Sequence, residues 1–293
     1  MPILNFGSLN LDHVYRVPHM PAPGETLPVS SYDRYLGGKG ANQSIAIAKA
    51  GGAIRHIGAV GSDGGWALDK LRAAGVGTEH IAELGEATGH AIITVDDAGE
   101  NQILICGGAN RCFTEAQIAQ NLDGADADKD WVLLQNETNL ASTIVHTAKQ
   151  RGFKIAYSAA PFIAGDTIPL LEDIDLLVVN ALEAEALAEA MGLDPAKLPV
   201  DQVLITRGGD GASLHAKGEV IRQDAFKVTP VDTTGAGDTF LGSFLALLDS
   251  GAGAQQALQY ASAASALQVT RPGAADAIPA YDEVQAFLKE HSH

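Results

Sequence analysis

The residues best suited to chemistry lie together at Val231-Asp232-Thr233-Thr234-Gly235-Ala236-Gly237-Asp238-Thr239-Phe240. Phe240, Leu241, Phe244, Leu245 and Leu248 recur at helical spacing, which predicts a helix from about Gly235 to a C-cap near Gly251. Gly235, Ala236 and Gly237 then form its first turn, where backbone N–H groups point outward without helical partners. Nearly side-chain-free residues let a phosphate approach those donors closely, helped by the positive end of the helix dipole. Asp238 stands beside this anion site. A carboxylate there is repelled unless it takes up a proton, as a base activating a hydroxyl does. A turn followed by a capping acid would use the same residues.

A second glycine-rich stretch, Gly37-Gly38-Lys39-Gly40-Ala41-Asn42-Gln43, precedes the helical run Ile45, Ala46, Ala48. It is not a GxxxxGK[ST] phosphate loop, because no Ser or Thr follows Lys39-Gly40 and the spacing is absent. Its glycines still allow backbone to come close to a ligand. Upstream, a strand over about 3–8 leads to Asn10 and Asp12, which face the same way on an extended segment. Two such groups could bind sugar hydroxyls, and a solvated strand end with an Asx turn explains them equally well.

These residues need a scaffold. From Asp130 onward, apolar strands near 131–134, 153–157, 176–179 and 203–206 alternate with helices. Unbroken apolar strands of this kind imply a parallel sheet covered on both faces. Ligands of such sheets sit beyond the carboxyl ends of the strands. Glu137, Asn180, Glu183, Thr206 and Gly208 fall there, although each alone could be a cap or turn residue. No GxGxxG follows the first strand, which counts against a dinucleotide oxidoreductase. A strand at 54–60 and a helix at 66–74 precede two runs, 88–95 and 102–106, that flank the acidic turn Asp96–Glu100 as a hairpin. With strands near 14–17 and 27–35, this hairpin makes a small separate sheet, whose apolar face must cover a site or a second subunit.

The formal net charge of -17 over 293 residues argues against nucleic acid or an anionic membrane as partner. An anionic nucleotide stays possible, since helix N-termini and a metal make a site locally positive. With 46% hydrophobic residues the chain can bury a large core. Cys106 and Cys112 form no CxxC pair, so neither a disulfide scaffold nor a zinc site is indicated. No apolar run reaches membrane-spanning length, and Ile3-Leu4-Asn5-Phe6 reads as a strand, not a signal peptide. A reducing cytoplasm is the expected compartment.

The two glycine-rich stretches resemble the paired signatures of the ribokinase-like (PfkB) carbohydrate kinases. Gly7–Asp12, Pro23–Thr26, Gly108-Ala109-Asn110, Gln135-Asn136-Glu137 and the Asn180/Glu183 pair match in order, so the resemblance spans nearly the whole chain. It implies a three-layer α/β/α sandwich with a mainly parallel central sheet. A small β lid would be inserted at about 13–36 and 79–108. It also implies ATP-dependent phosphorylation of the primary hydroxyl of a small sugar. Lys39 with Asn10 and Asp12 leans towards D-ribose. Fructose, 2-keto-3-deoxygluconate or a nucleoside are the alternatives within the family, and a non-catalytic sugar-binding regulator is the alternative outside it.

By the resemblance, Asp238 is the base, and Gly235, Ala236 and Gly237 supply N–H groups to the transferring phosphoryl. Asn10, Asp12, Gly38, Lys39, Asn42 and Glu137 would hold the sugar. Thr206, Gly208 and Gly211 would line the nucleotide site, with Asn180 and Glu183 placing Mg²⁺ through water. Asp232, Thr234, Gln268, Arg271 and Gly273 match a monovalent-cation site, with K⁺ as activator, but Ala277 stands where a serine ligand is found. Asn136 replaces a usually apolar residue. If the strand stays extended and Glu137 faces the sugar, Asn136 should face away. The lid, through alternating Ala91, Ile93 and Val95, is expected to form a homodimer.

Overall fold

The structure is a computed structural model that describes residues 2–194 and 197–291. Alternation along the first strand decides its layers. In β1 (Pro2–Phe6), Ile3 enters one apolar core while Leu4 and Phe6 enter the other, because successive side chains leave a strand on opposite faces.

β1 lies parallel to and between β4 (Ala53–Val60) and β8 (Trp131–Gln135). Beyond β4 comes β5 (Gly77–Glu83). Beyond β8 come β9 (Lys154–Ser158), β10 (Leu176–Asn180) and β11 (Gln202–Thr206), all parallel. An antiparallel hairpin, β12 (Ala212–Ala216) and β13 (Glu219–Gln223), completes this sheet. Its turn uses Lys217 and Gly218, both at positive φ. The chain winds outward from β1 in both directions, so the carboxyl ends of β1 and β8 flank the switch point where sheets of this kind bind ligands.

Helices α1 (Lys39–Lys49), α2 (Gly65–Ala73), α7 (Ala236–Asp249), α8 (Ala254–Val269) and α9 (Tyr281–Glu290) cover one face. The other carries α3 (Glu115–Asp123), α4 (Ala141–Gln150), the single turn α5 (Ala164–Thr167) and α6 (Ala181–Met191). The three-layer sandwich is therefore as expected. α7 is buried from Asp238 to Leu247. Burying Phe240, Leu241, Phe244 and Leu245 contributes about 1.5–3 kcal/mol per side chain, which fixes the helix by packing. At Gly242 it meets α1 so closely that a Cβ would lie 2.6 Å from both Ala46 Cβ and Gln43 O. That approach is what brings Asn42 and Gln43 to Asp238.

Four strands form the lid, in the order β3 (Ser31–Gly37), β2 (Asn10–Arg16), β6 (Gly89–Val95), β7 (Asn101–Cys106). One boundary differs from expectation. Residues 79–83 belong to β5, which pairs in parallel with β4 at the edge of the large sheet, so the second lid segment begins after β5. Short strands at a domain edge carry no local signal of which sheet they join. Partners in register share a face, and the row Asp12, Ala91, Ile105 puts the lid's apolar side on the same face as Asn10 and Asp12.

Candidate active site

α7 starts from Gly235, left-handed at φ 76°, and places Asp238 in its first turn. The Asp238 carboxylate accepts from Asn42 Nδ2 on Oδ2 at 3.0 Å and from Gln43 Nε2 on Oδ1 at 2.8 Å. Burial raises its pKa above the ordinary carboxylate value, while the Lys39 ammonium and these two amide bonds pull the other way. Asn42 Oδ1 is buried and has no hydrogen-bond partner among the described residues. A hydroxyl beside Asp238 can donate to it. No hydrogen bond engages the N–H of Gly235 or Gly237 among the described residues, whereas Ala236 N–H turns back on Thr233 O at 3.2 Å.

A buried amide chain runs behind Asp238. Gln43 Oε1 accepts from Gln135 Nε2 at 2.8 Å, which also donates to Asn5 Oδ1 at 2.9 Å. Asn5 Nδ2 donates to Ser44 Oγ at 2.9 Å, and that hydroxyl lies 2.9 Å from His56 Nδ1. Burial lowers the His56 pKa to about 4, so its ring is neutral at physiological pH. With Nε2 3.1 Å from the Gly7 carbonyl, Nε2 carries the proton and Nδ1 accepts from Ser44.

The sugar residues expected from sequence come together on the other side of Asp238. Glu137 Oε2 accepts from the Lys39 backbone N–H at 2.8 Å and from the Ser8 hydroxyl. Gly38, the N-cap of α1, abuts Asn10: a Cβ there would lie 3.0 Å from Asn10 N. Asn10 Oδ1 accepts from Asn110 Nδ2 at 2.8 Å, leaving the Asn10 amide N–H₂ for a ligand. Asp12 folds over Gly37, where a Cβ would be 2.0 Å from Asp12 Oδ2. Burial, then the nearby Glu137 charge, pushes the Asp12 pKa to about 6.

A cavity of about 220 Å³ is lined by Asn10, Glu137, Asn110, Arg111, Ile105 and, against expectation, Asn136. β8 ends at Gln135 and the chain then turns, so residues 136 and 137 no longer alternate. Asn136 is held by Pro161 O, which accepts from its Nδ2 at 3.0 Å, and by the Tyr157 hydroxyl, which donates to its Oδ1.

A larger cavity of about 430 Å³ opens on the far side of the α7 N-terminus. Thr206, Gly208 and Gly211, the residues expected at a nucleotide site, line it together with Ala236 and Gly237. Its apolar walls, Phe226, Val228, Pro230, Ala266 and Val269, were not legible in the sequence. They come from the segment after β13 and from α8, where isolated apolar residues look like ordinary core. Asn180 and Glu183 do not line this cavity. They form a reciprocal capping box on α6, Asn180 Oδ1 accepting from Glu183 N at 2.9 Å and Glu183 Oε2 from Asn180 N at 2.8 Å. Asn180 is nevertheless the register partner of Thr206. Of the residues expected at a cation site, Asp232, Thr234, Gln268 and Gly273 meet, and the Arg271 backbone N–H joins them by donating to Gln268 O at 3.0 Å while its side chain reaches Glu283 at 2.6 Å.

The model of the pfkB family of carbohydrate kinases matches residues 3–281. The chain belongs to this family. Ribokinase of Haemophilus influenzae is 36% identical to it over 98% of this chain and 97% of that relative. The crystal structure of a ribokinase from Thermotoga maritima is similar at a TM-score of 0.89 and 33% identity, covering 99% of both chains. A ribokinase of Arabidopsis thaliana, solved with ribose and ATP, matches at a TM-score of 0.85 and 30% identity over 98% of both chains. Asp238 lines neither cavity; Ala236 and Gly237 of its own helix turn line the larger one, and Glu137, whose charge acts on Asp238, lines the smaller.

Proposed function

We propose that this kinase transfers the γ-phosphoryl group of ATP to the primary hydroxyl of D-ribose, giving ribose 5-phosphate. The observation that carries the reading is the Asp238 carboxylate, fixed by Asn42 and Gln43 in the helix turn whose Ala236 and Gly237 line the larger, apolar-walled cavity, and close enough to Glu137 of the smaller, polar one to feel its charge. Asp238 accepts the hydroxyl proton as the oxygen attacks, and its raised pKa makes it a better base. The N–H groups of Gly235 and Gly237 stabilise the charge on the transferring phosphoryl, and that of Ala236 adds to them once it leaves Thr233 O. Asn10, Asp12, Lys39, Asn42 and Glu137 orient the sugar, with Gly38 allowing close approach.

ATP would occupy the larger cavity, its base against Phe226 and Val269 and its phosphates at the α7 N-terminus. Among the described residues no three metal-ligating side chains converge. A lone carboxylate beside an amide fits a hydrated Mg²⁺ carried by the nucleotide phosphates, which Asn180 and Glu183 would hold through water. Bound there, Mg²⁺ neutralises phosphate charge. The lid supports a homodimer, since Ile103, Leu104 and Ile105 of edge strand β7 are exposed at 49%, 64% and 68%. Two free cysteines suit a reducing cytoplasm, and among the described residues no helix is long and apolar enough to cross a membrane.

The test is ADP release against D-ribose, fructose, 2-keto-3-deoxygluconate and adenosine. D-ribose is expected to show the highest kcat/KM. A purine would leave several of the polar lining groups unpaired, at about 1–3 kcal/mol each, which already implies more than tenfold discrimination. Adenosine or fructose turning over about tenfold more efficiently than ribose would overturn the substrate and leave the kinase class standing.

A further inference from the structure

Gln268, in the last turn of α8, is fully buried and aims its side chain between two backbone carbonyls. Its Nε2 lies 2.6 Å from Thr234 O and 3.4 Å from Gly273 O. A carbonyl oxygen only accepts, so the neighbours themselves fix the amide with its N–H₂ towards them. Gln268 Oε1 is left without a partner among the described residues, so the side chain satisfies its donors and sacrifices its acceptor.

The same loop contains the groups that would coordinate a monovalent cation, and they are already engaged with one another. Asp232 Oδ1 accepts from Thr234 N at 2.9 Å and Asp232 Oδ2 from Gly273 N at 2.9 Å. Gln268 O accepts from Arg271 N at 3.0 Å. Ala277 is buried and brings a methyl group where a serine hydroxyl was the expected ligand. The residues present do not fit a coordinated K⁺, because an amide occupies the space between the carbonyls and one ligand is missing.

We propose that Gln268 is a positioning residue that permanently replaces a monovalent cation, so that turnover of this kinase does not depend on K⁺. Thr234 immediately precedes Gly235, whose carbonyl accepts from Thr239 N at 2.9 Å and opens α7. Anchoring Thr234 O to α8 therefore holds the segment that carries the anion-binding N–H groups. A cation would fix that segment by ion–dipole attraction; the amide fixes it by hydrogen bonds, without needing an ion from solution.

The inference rests on the kinase reading, and its test separates the two. Thermal unfolding of the ligand-free protein in potassium chloride and in tetramethylammonium chloride, at equal ionic strength, needs no substrate. The wild type is expected to melt at the same temperature in both. Gln268→Ala with Ala277→Ser, which removes the amide and restores a hydroxyl, is expected to be stabilised by K⁺, since an ion that binds only the folded state raises stability by mass action. In ADP release with D-ribose, the wild-type kcat should stay within about twofold between the two salts, and the double variant should lose activity in tetramethylammonium and regain it in potassium. A wild-type kcat raised about fivefold or more by potassium, or a folded double variant indifferent to it, would overturn the proposal. If the double variant does not fold, the wild-type comparison decides alone. Absence of ADP release with every sugar would count against the kinase reading, leaving the melting comparison intact.

Discussion

Gln43 Nε2 donates to Asp238 Oδ1 across 195 residues of sequence, and Gln43 Oε1 accepts from Gln135 at the end of β8. The Asp238 carboxylate is therefore oriented from the sheet as well as from its own helix. Each amide in this chain has its orientation fixed by the next, back to a neutral His56.

Replacing Asp238 by Asn should lower kcat by about three or more decades, the upper reach of a positioned base and beyond. Sugar and ATP binding, followed by calorimetry, should change little. The new amide N–H₂ can be met by turning Asn42, whose Oδ1 is otherwise unpartnered. A variant keeping more than about a tenth of the activity would remove Asp238 from the role of base.

Gln43→Met keeps the volume and removes the donor. We expect kcat to fall about tenfold with nearly unchanged KM values, and the acid limb of the kcat profile to move to higher pH. The carboxylate loses a bond that favours its charged form, while Lys39 and Glu137 still act on it. Introduced into Asp238→Asn, the same change should have far less effect, because coupled residues are not additive. Equal losses in both backgrounds would indicate a structural role only.

Asp12 titrates at about 6 when folded against an ordinary value of 3.8. The folded state therefore binds more protons in this interval, and the contribution of Asp12 to stability falls as pH rises from about 4 to about 6. Asp12→Asn should be more stable than wild type by about 1–2 kcal/mol at pH 8 and should lose that advantage near pH 4. Its affinity for ribose should fall about tenfold. Urea unfolding at both pH values, with ribose titrations, checks this; equal stability of the two proteins at pH 8 would refute it.

Light scattering at micromolar concentration should give twice the 30.4 kDa chain mass. Ile103→Glu places a charge on the exposed apolar face of β7, in register with Ile93, and should shift the protein towards monomer, because an unpaired buried charge disfavours an interface. A wild-type monomer, with and without sugar, would dispose of the lid dimer.

The sequence by itself determined the features governed by local rules. Unbroken apolar runs marked β8, β10 and β11, the 3.6-residue stripe marked α7, and glycines before an acid marked where α7 starts, because these depend on periodicity and backbone freedom within a few residues. Tertiary structure decided everything that depends on which neighbours meet. Asn136 joined the smaller, polar cavity because β8 ends one residue earlier than a continued alternation requires. β5 joined the large sheet because a short strand pairs with whatever edge the fold offers it. Gln43, Gln135 and Gln268 look like ordinary polar positions in the chain. Their roles arise only where α1, β8 and α8 converge on the start of α7, since a hydrogen bond between residues 92 or 195 positions apart leaves no local pattern to read.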